Sequence, residues 1–394
     1  MVSNEKPPSS ILRFNIYDSK VRGLISQIIV IVLFTAFSIY IINNTAANLV
    51  DRGISTGFNF INAPAGYDVS QMLILFEEPI THGQMFVIGL LNTAVVAVLG
   101  VFLATIIGLL FGIMRLSNNW LAAGVAYVYV DSLRNVPILL QILFWYGILL
   151  TLPGVRQSIV LADVISFNNR GLFLPAPVFN QGFSLVLFGF ISGLVITIVL
   201  VLWSKRRQRL TGQSFPAGFY GTLLTVLLVF VSYFISGSPL SWDIPELKGF
   251  SFRGGFVISP EFTALLLALV FYTATYIAEI LRSAIESVSA GQKEAAAALG
   301  LQPGQMMKLI LIPQALRVAI PQLTSQYLNL TKNSSLAVAI GYPDLVATFG
   351  GTTLNQTGQA VEVIAITMAV YLIFSLVISL FMNWFNAHVA LKER

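Results

Sequence analysis

The sequence predicts an all-α polytopic membrane protein, and three observations support this prediction. Of its 394 residues, 56% are hydrophobic and 10% are charged, with a mean hydropathy of +0.81, whereas soluble domains average about 25% charged residues. Eight segments are apolar enough to cross a hydrocarbon core of ~30 Å, which requires roughly 20 helical residues. Residues 289–316, which we call the elbow, form a polar, Ala-rich run between the sixth and seventh of these segments.

The eight predicted spans are separated by loops of very different length. They cover residues 24–42, 86–114, 133–150, 184–203, 219–235, 262–281, 319–340 and 363–385. Polar residues interrupt the third and the seventh. Small residues spaced four apart, at Ala104, Gly108 and Gly112 and at Gly189 and Gly193, predict close helix packing.

The distribution of basic residues predicts the orientation. With the N-terminus inside, 15 of the 22 Lys and Arg residues fall on inside segments and five on outside segments, while Arg134 and Lys332 lie at membrane depth. Cytoplasmic loops carry the excess of basic residues. Both termini and the elbow are therefore expected in the cytoplasm.

Composition also excludes several kinds of site. The chain contains no cysteine and only two histidines, His82 and His388, which argues against disulfides, thiolate chemistry and a zinc centre. No G-x-x-x-x-G-K-[ST] sequence is present, so a phosphate-binding loop of the P-loop type is absent. We predict no metal or cofactor bound by this chain, no catalytic residue and no nucleic-acid partner.

Two short helices are predicted in the elbow. Ser289 and Gln292 have the spacing of a capping box, and Gly300 is placed to end the first helix in a left-handed conformation. Pro303 suits the first turn of a second helix over residues 305–312, and Pro313 is expected to limit it. The elbow thus devotes about 30 residues to helices that do not cross the membrane. This indicates a docking site for a soluble partner.

The extended pattern in and around the elbow resembles a known family. The matching residues are Ala278, Glu279, Arg282, Gly291, Gln292, Glu294, Ala295, Ala296, Ala298, Leu299, Gly300, Gln305, Pro313, Gln314, Ala315, Pro321, Lys332, Ser334, Ser335 and Leu336. They resemble the EAA loop of permease subunits of ATP-binding-cassette importers of the polar amino-acid uptake family. The chain is most similar to the larger permease subunit of a general L-amino-acid transporter. Asn333 departs from the Asp that many members carry.

The resemblance implies a type I importer permease fold with a five-helix core and about three extra transmembrane helices. It divides the chain into an N-terminal extension with one span (1–83), a first core part (84–150), an insertion with two spans (151–260) and a second core part with the elbow (261–394). The implied location is the bacterial inner membrane.

The same resemblance implies the function and the partners. The chain would be the translocating subunit, not an enzyme, of an ATP-driven importer of polar and acidic L-amino acids. A cytosolic ATPase dimer would hold ATP and Mg²⁺, a periplasmic binding protein would deliver the amino acid, and a second, non-identical permease would complete the pore, with a homodimer left open. The residues expected to contact the ATPase are Gln292, Glu294, Ala295, Ala296, Ala298, Leu299, Gly300 and Leu301.

Two rival hypotheses remain from the residues alone. An ion-coupled secondary transporter would use Glu279, Asp131 and Lys332 as relay groups, and a membrane scaffold would transport nothing. Neither predicts the extended pattern of the elbow.

Polar residues within the seventh span predict the substrate pathway, because polar groups in lipid are costly and face a cavity or a neighbouring helix. Gln322, Gln326, Asn329 and Asn333 share one face at 100° per residue. The predicted pathway residues are Gln141, Gln326, Asn329, Lys332, Asn333, Ser334 and Ser335. Lys332 has the alternative of a structural cation.

The sixth span carries a second polar stripe. It comprises Tyr272, Tyr276, Glu279, Ser283 and Glu286. The spacing of Glu279 and Arg282, and of Asp131 and Arg134, predicts an ion pair in each case.

Overall fold

A computed structural model describes residues 19–389, apart from residues 52, 54, 55, 75 and 163. The two chain ends, whose predicted cytoplasmic location rests on the basic residues, therefore lie outside the described residues. The described residues are mostly helical.

Twelve α-helices are numbered here in chain order. They are α1 (Ser19–Asp51), α2 (His82–Arg115), α3 (Trp120–Arg134), α4 (Ile138–Leu150), α5 (Phe183–Thr211), α6 (Ala217–Ile235), α7 (Pro260–Glu286), α8 (Ala290–Ala298), α9 (Pro303–Met306), α10 (Ile312–Asn333), α11 (Leu354–Thr357) and α12 (Ala360–Val389). Among the described residues, seven helical segments are long and apolar enough to span a membrane, or eight when the bent pair α3–α4 counts as one. The predicted number of spans agrees with the second reading.

The third predicted span is wrong as a single straight helix. α3 and α4 meet at 103° across residues 135–137. Pro137 has no N–H to donate and restricts the residue before it, so the helix cannot continue through it. The Gln141 amide turns back and donates to the carbonyls of Leu133 (2.8 Å) and Val136 (3.1 Å), which the break leaves free.

The prediction that Pro313 limits a short helix is also wrong. α9 runs through a π-helical turn, Met307–Leu311, directly into α10, and a 3-10 segment, Ser334–Ile340, extends it. A wide π turn accommodates a proline because it moves the carbonyls away from the ring. The seventh span is therefore continuous with the second helix of the elbow.

The predicted small-residue packing is confirmed in the core that α2, α4, α7, α10 and α12 form. Ala104, Gly108 and Gly112 are buried on α2. A Cβ atom on Gly108 would lie 2.6 Å from the Ile277 Cβ and 3.0 Å from the Ala274 carbonyl oxygen of α7. Only glycine permits this approach of the two helices.

We expect Gly108→Leu to destabilise the protein by more than about 3 kcal/mol, because overpacking here forces a backbone shift. The matched control is Gly147→Leu, since Gly147 lies on α4 and a Cβ atom added to it would have no neighbour within 4 Å. Thermal melting in detergent should show a large loss for the first variant and little for the second. Equal melting of the two variants would contradict the packing.

The segments on either side of the α5–α6 hairpin form short strands. These are β1 (Ile159–Leu161), β2 (Ile165–Asn168), β3 (Gly171–Leu174), β4 (Ala176–Phe179), β5 (Leu240–Asp243), β6 (Glu246–Lys248), β7 (Ser251–Arg253) and β8 (Phe256–Ile258). The antiparallel order is β1-β2-β3-β8, with separate pairs β4-β5 and β6-β7. Leu172 pairs with Ile258, so residues far apart in sequence close one sheet.

Two helical parts stand apart from the core. α5 and α6 pack closely on each other, with Gly189 against Ser232 and Gly193 against Thr225, but this hairpin has only sparse contacts with the described core helices. The apolar stretch of α1 is unburied. Because α7 leads from the strands to α8, the strands and the elbow lie at opposite ends of the bundle.

Candidate functional site

A polar cavity of about 310 Å³ lies between α3, α7 and α10. Its lining comprises Arg134, Tyr276, Glu279, Ile280, Ser283, Gln322, Ser325 and Gln326. The two polar stripes recognised in the sequence thus face each other across one space. Its volume lies at the lower end of the range for small-molecule sites.

Charges in this cavity are distributed unevenly. Glu279 forms ion pairs with Arg115 and with Arg282, at 2.6 Å for the second, and Arg282 also pairs with Glu286 at 2.5 Å. The predicted Glu279–Arg282 pair is confirmed. A carboxylate held by two guanidinium groups is neutralised and is poorly suited to bind a further cation.

Arg134 is the cation at the opposite side of the cavity. The predicted pair with Asp131 is not formed, and among the described residues no carboxylate makes an ion pair with Arg134. Its guanidinium instead lies 5.4 Å from the centre of the Tyr276 ring. Both residues precede the bend on α3, and the Arg134 side chain turns to Tyr276 of α7 and not to Asp131 one helical turn earlier. Its five N–H groups suit a carboxylate ligand.

The other predicted pathway residues occupy different positions. Gln326 lines the cavity, whereas Asn329 and Lys332 lie farther along α10 and are exposed, and Asn333 is half-buried. The hydroxyls of Ser334 and Ser335 donate to the carbonyls of Thr331 (2.7 Å) and Lys332 (2.8 Å).

Gln141, the remaining predicted pathway residue, is buried in the α3–α4 bend. Sequence reasoning also assigned Arg134 to an ion pair and left it out of the pathway. The predicted position of Arg134 at membrane depth was the signal that it has a role other than a surface ion pair.

The elbow presents an open surface at the end of the bundle. Gln292, Glu294, Ala295, Ala298 and Gly300 are exposed, and Leu301 is half-buried. Ala296 faces inward at 3% exposure, whereas Leu299 is 80% exposed at the C-terminal end of α8. α8 rests mainly on residues 303–311. Ala295, Ala298 and Leu299 lie at i, i+3 and i+4 on one exposed face of the elbow, and an apolar patch of this kind, unlike a single exposed leucine, is typical of an interaction site.

Local hydrogen bonds fix the shape of the elbow. Gly300 adopts φ +74°, and the Leu301 N–H donates to the Ala296 carbonyl, so the predicted left-handed cap is confirmed. The predicted capping box is wrong, since the Ser289 side chain makes no capping bond. The Gln292 side chain accepts instead from the Gln314 amide at 3.2 Å, which ties α8 to α10.

At the other end of the bundle, Asp344 is fully buried in a polar network that sequence reasoning missed. Its carboxylate accepts from the Ala347 N–H at 2.8 Å and from the Tyr371 hydroxyl at 3.4 Å. The Asn92 amide donates to the Pro343 carbonyl at 2.8 Å, and Thr93 accepts from the Leu345 N–H. An Asp within an apolar run, next to Pro343, was the available signal.

Burial raises the pKa of Asp344 from its ordinary 3.8 to about 6, against the lowering effect of its hydrogen bonds. Because the folded-state pKa exceeds the unfolded one, the cost of the buried charge is complete above pH 6 and disappears as the pH falls toward 4. We expect wild-type protein to melt at a higher temperature at pH 5 than at pH 7. At about 1.4 kcal/mol for each pKa unit, the complete effect is about 3 kcal/mol, of which roughly 1.3 kcal/mol falls between pH 5 and pH 7.

Asp344→Asn keeps an acceptor for Ala347 and removes the charge. The variant should lose most of this pH dependence between pH 5 and pH 7. If the melting temperature of the variant decreased with rising pH as steeply as that of wild-type protein, a group other than Asp344 would cause the pH dependence.

Comparison with known proteins adds independent observations. Residues 214–394 match the family profile of the binding-protein-dependent transport system inner membrane component. The chain is 49% identical to the general L-amino acid transport system permease protein AapQ of Rhizobium johnstonii, over 97% of this chain and 96% of that protein. It is 45% identical to the putative amino-acid ABC transporter permease protein YhdX of Escherichia coli, over 95% of each.

A third relative is named for a narrower range of substrates. The chain is 42% identical to the glutamate/glutamine/aspartate/asparagine transport system permease protein BztB of Rhodobacter capsulatus, over 98% of this chain and 99% of that protein. These similarities extend over nearly the whole chain, including the strands and both peripheral helical parts.

Proposed function

The chain belongs to the family of amino-acid ATP-binding-cassette transporter permeases, and on this premise we propose that a cytosolic ATPase drives it through the elbow. The observation that carries the proposal is the exposed surface of α8, where Leu299 projects from a helix whose opposite face is anchored. Docking of an ATPase would bury Leu299 and the small side chains Ala295 and Ala298. Small residues permit close contact with a groove.

Movement of the elbow has a direct route into the membrane. α8 is tied to α10 by the Gln292–Gln314 hydrogen bond, and the π turn continues into α10 without a break. Force applied to α8 is therefore passed to the helix that carries Gln322, Ser325 and Gln326. ATP and Mg²⁺ would reside on the partner subunits, not on this chain.

The polar cavity is the proposed substrate site. Arg134 would receive the α-carboxylate of an amino acid, while hydroxyl and amide groups of Ser283, Ser325 and Gln326 accept from its ammonium group. Arg134 makes no ion pair among the described residues, and its charge disfavours basic side chains, in keeping with the relative named for glutamate, glutamine, aspartate and asparagine. Asn329, Lys332 and Asn333 would continue the pathway along α10.

The division into core and additions, the second permease subunit and the orientation are proposed from membership in the same family. Residues 84–150 and 261–394 would form the permease core, with residues 1–83 and 151–260 as additions around it. A second, non-identical permease subunit would complete the pore, since this chain offers one elbow to an ATPase dimer. The basic residues favour an elbow and both termini inside, which leaves the strands to face a binding protein outside.

Uptake into proteoliposomes tests the proposal against an ion-coupled transporter. The complex, purified from native membranes with its ATPase and binding protein, should import glutamate only when ATP reaches the elbow side. A protonophore should leave the initial rate unchanged. Uptake that the protonophore abolishes and that ATP removal does not affect would establish the ion-coupled alternative.

A further inference from the structure

The last two helical turns of α5, which we call the basic turn, concentrate positive charge next to the connection to α6. Lys205, Arg206, Arg207 and Arg209 lie within five residues, and residues 183–235 contain no Asp or Glu. Among the described residues, none of these four side chains forms an ion pair with a carboxylate. Arg207 donates instead to the neutral Gln213 side chain at 3.0 Å. The hairpin therefore has no counter-charge of its own.

Aromatic rings surround this basic turn. The rings of Trp203 and Phe215 lie 5.9 Å apart and those of Phe215 and Tyr220 lie 5.2 Å apart, while Arg207 lies 5.4 Å from the Trp203 ring. Aromatic side chains of this kind are enriched at the level of lipid headgroups. Beside them, Leu210 is 76% and Phe219 68% exposed, so apolar surface adjoins the charge.

The position of the hairpin leaves this end open. Its contacts with the described core helices are sparse, and the turn lies at the end opposite the strands, on the side of the elbow. The apolar stretch of α5, the Trp203 ring and the cations at 205–209 therefore succeed one another along the helix toward the membrane surface. That sequence matches the acyl, interfacial and phosphate layers of a lipid leaflet.

We propose that the basic turn is a binding site for the phosphate headgroups of anionic phospholipids. Arg206, Arg207 and Arg209 would donate forked hydrogen bonds to phosphate oxygens, which guanidinium groups fit in a bidentate manner. Trp203, which precedes the cations on α5, would lie between the headgroups and the first carbons of the acyl chains. The site would hold the loosely attached hairpin at a fixed depth and orientation beside the core.

A titration of the full-length chain in uncharged detergent tests the site. The reporter is a fluorophore on Ser214→Cys, which labels uniquely because the chain has no cysteine. Dioctanoyl phosphatidylglycerol should bind at least tenfold more tightly than dioctanoyl phosphatidylcholine. Arg206→Gln/Arg209→Gln should weaken binding of the anionic lipid roughly 25-fold, at about fivefold for each cation lost near an anionic surface, and inorganic phosphate should not compete.

The matched control is Arg156→Gln/Arg170→Gln, which removes the same charge at the strand end and should leave lipid binding unchanged. The double variant of the turn keeps Lys205 and Arg207, so a basic inside signal remains. Equal affinity for both lipids, or the same loss in the control, would overturn the proposal. Normal lipid binding together with impaired ATPase assembly in the turn variant would assign the charge to a protein contact instead.

Discussion

Gly300→Asp should lower ATP-dependent uptake by at least tenfold while membrane insertion remains normal. Gly300 has φ +74° and no atom within 4 Å of where its Cβ would be, so the variant incurs a backbone cost of only about 1 kcal/mol. The new carboxylate lies next to Leu299, however, on the surface that docks the ATPase. Burying a charge without a partner in such a contact is strongly unfavourable.

Gly358→Asp is the matched control for this variant. Gly358 also ends a helix, at φ +70° with open space around it, but lies at the opposite end of the bundle. It should retain near wild-type uptake. Measurement of ATP hydrolysis and uptake in the same vesicles should show that only Gly300→Asp loses the stimulation by loaded binding protein. Equal losses in both variants would indicate a general backbone defect.

Arg134→Gln should reduce the initial rate of glutamate uptake about 10- to 100-fold. The variant removes a charged hydrogen-bond donor whose loss is worth roughly 1.5–3 kcal/mol. Arg134→Lys should retain part of the activity, because the charge remains and the forked geometry is lost. Initial rates at a series of substrate concentrations, in vesicles supplied with saturating ATP, provide the measurement.

Arg253→Gln serves as the control for charge, since Arg253 lies on strand β7 away from the cavity. Uptake in this control should match wild-type protein. If Arg134→Gln also transported at the wild-type rate, the cavity between α7 and α10 would not be the substrate site.

Periodicity and chain chemistry predicted much of the fold. Long apolar runs specified the spans, and the spacing of Ala104, Gly108 and Gly112 indicated close packing on one face of α2, because both are patterns of residues near in sequence. The partner helix α7 was not predicted. The break at Pro137 could have been predicted from the chemistry of proline. The polar residues around it did not indicate which of the two flanking segments continues the membrane span. The strands were missed because runs of three or four residues show little periodicity, and some of them pair only with distant partners, as Leu172 and Ile258 show.

One part of the candidate site was predicted from the sequence and another part was not. The two polar stripes were found from helical spacing, and the structure brings them together. The role of Arg134 was not found, because local spacing suggested Asp131 as its partner, whereas the Tyr276 ring that its guanidinium contacts lies on α7, far away in sequence. Asp344 was missed since its partner Tyr371 meets it only after α12 folds back on the core, and its bond with the nearby Ala347 N–H has no signal in the sequence.

Cysteine labelling of the elbow tests most directly whether the force of ATP hydrolysis enters through it. Ala298→Cys places a single thiol on the exposed face of α8 in a chain without cysteines. A membrane-impermeant maleimide should label it in inverted vesicles and not in right-side-out vesicles, and bound ATPase should protect it. Labelling from the outer side, or undiminished labelling with the ATPase assembled, would contradict the account.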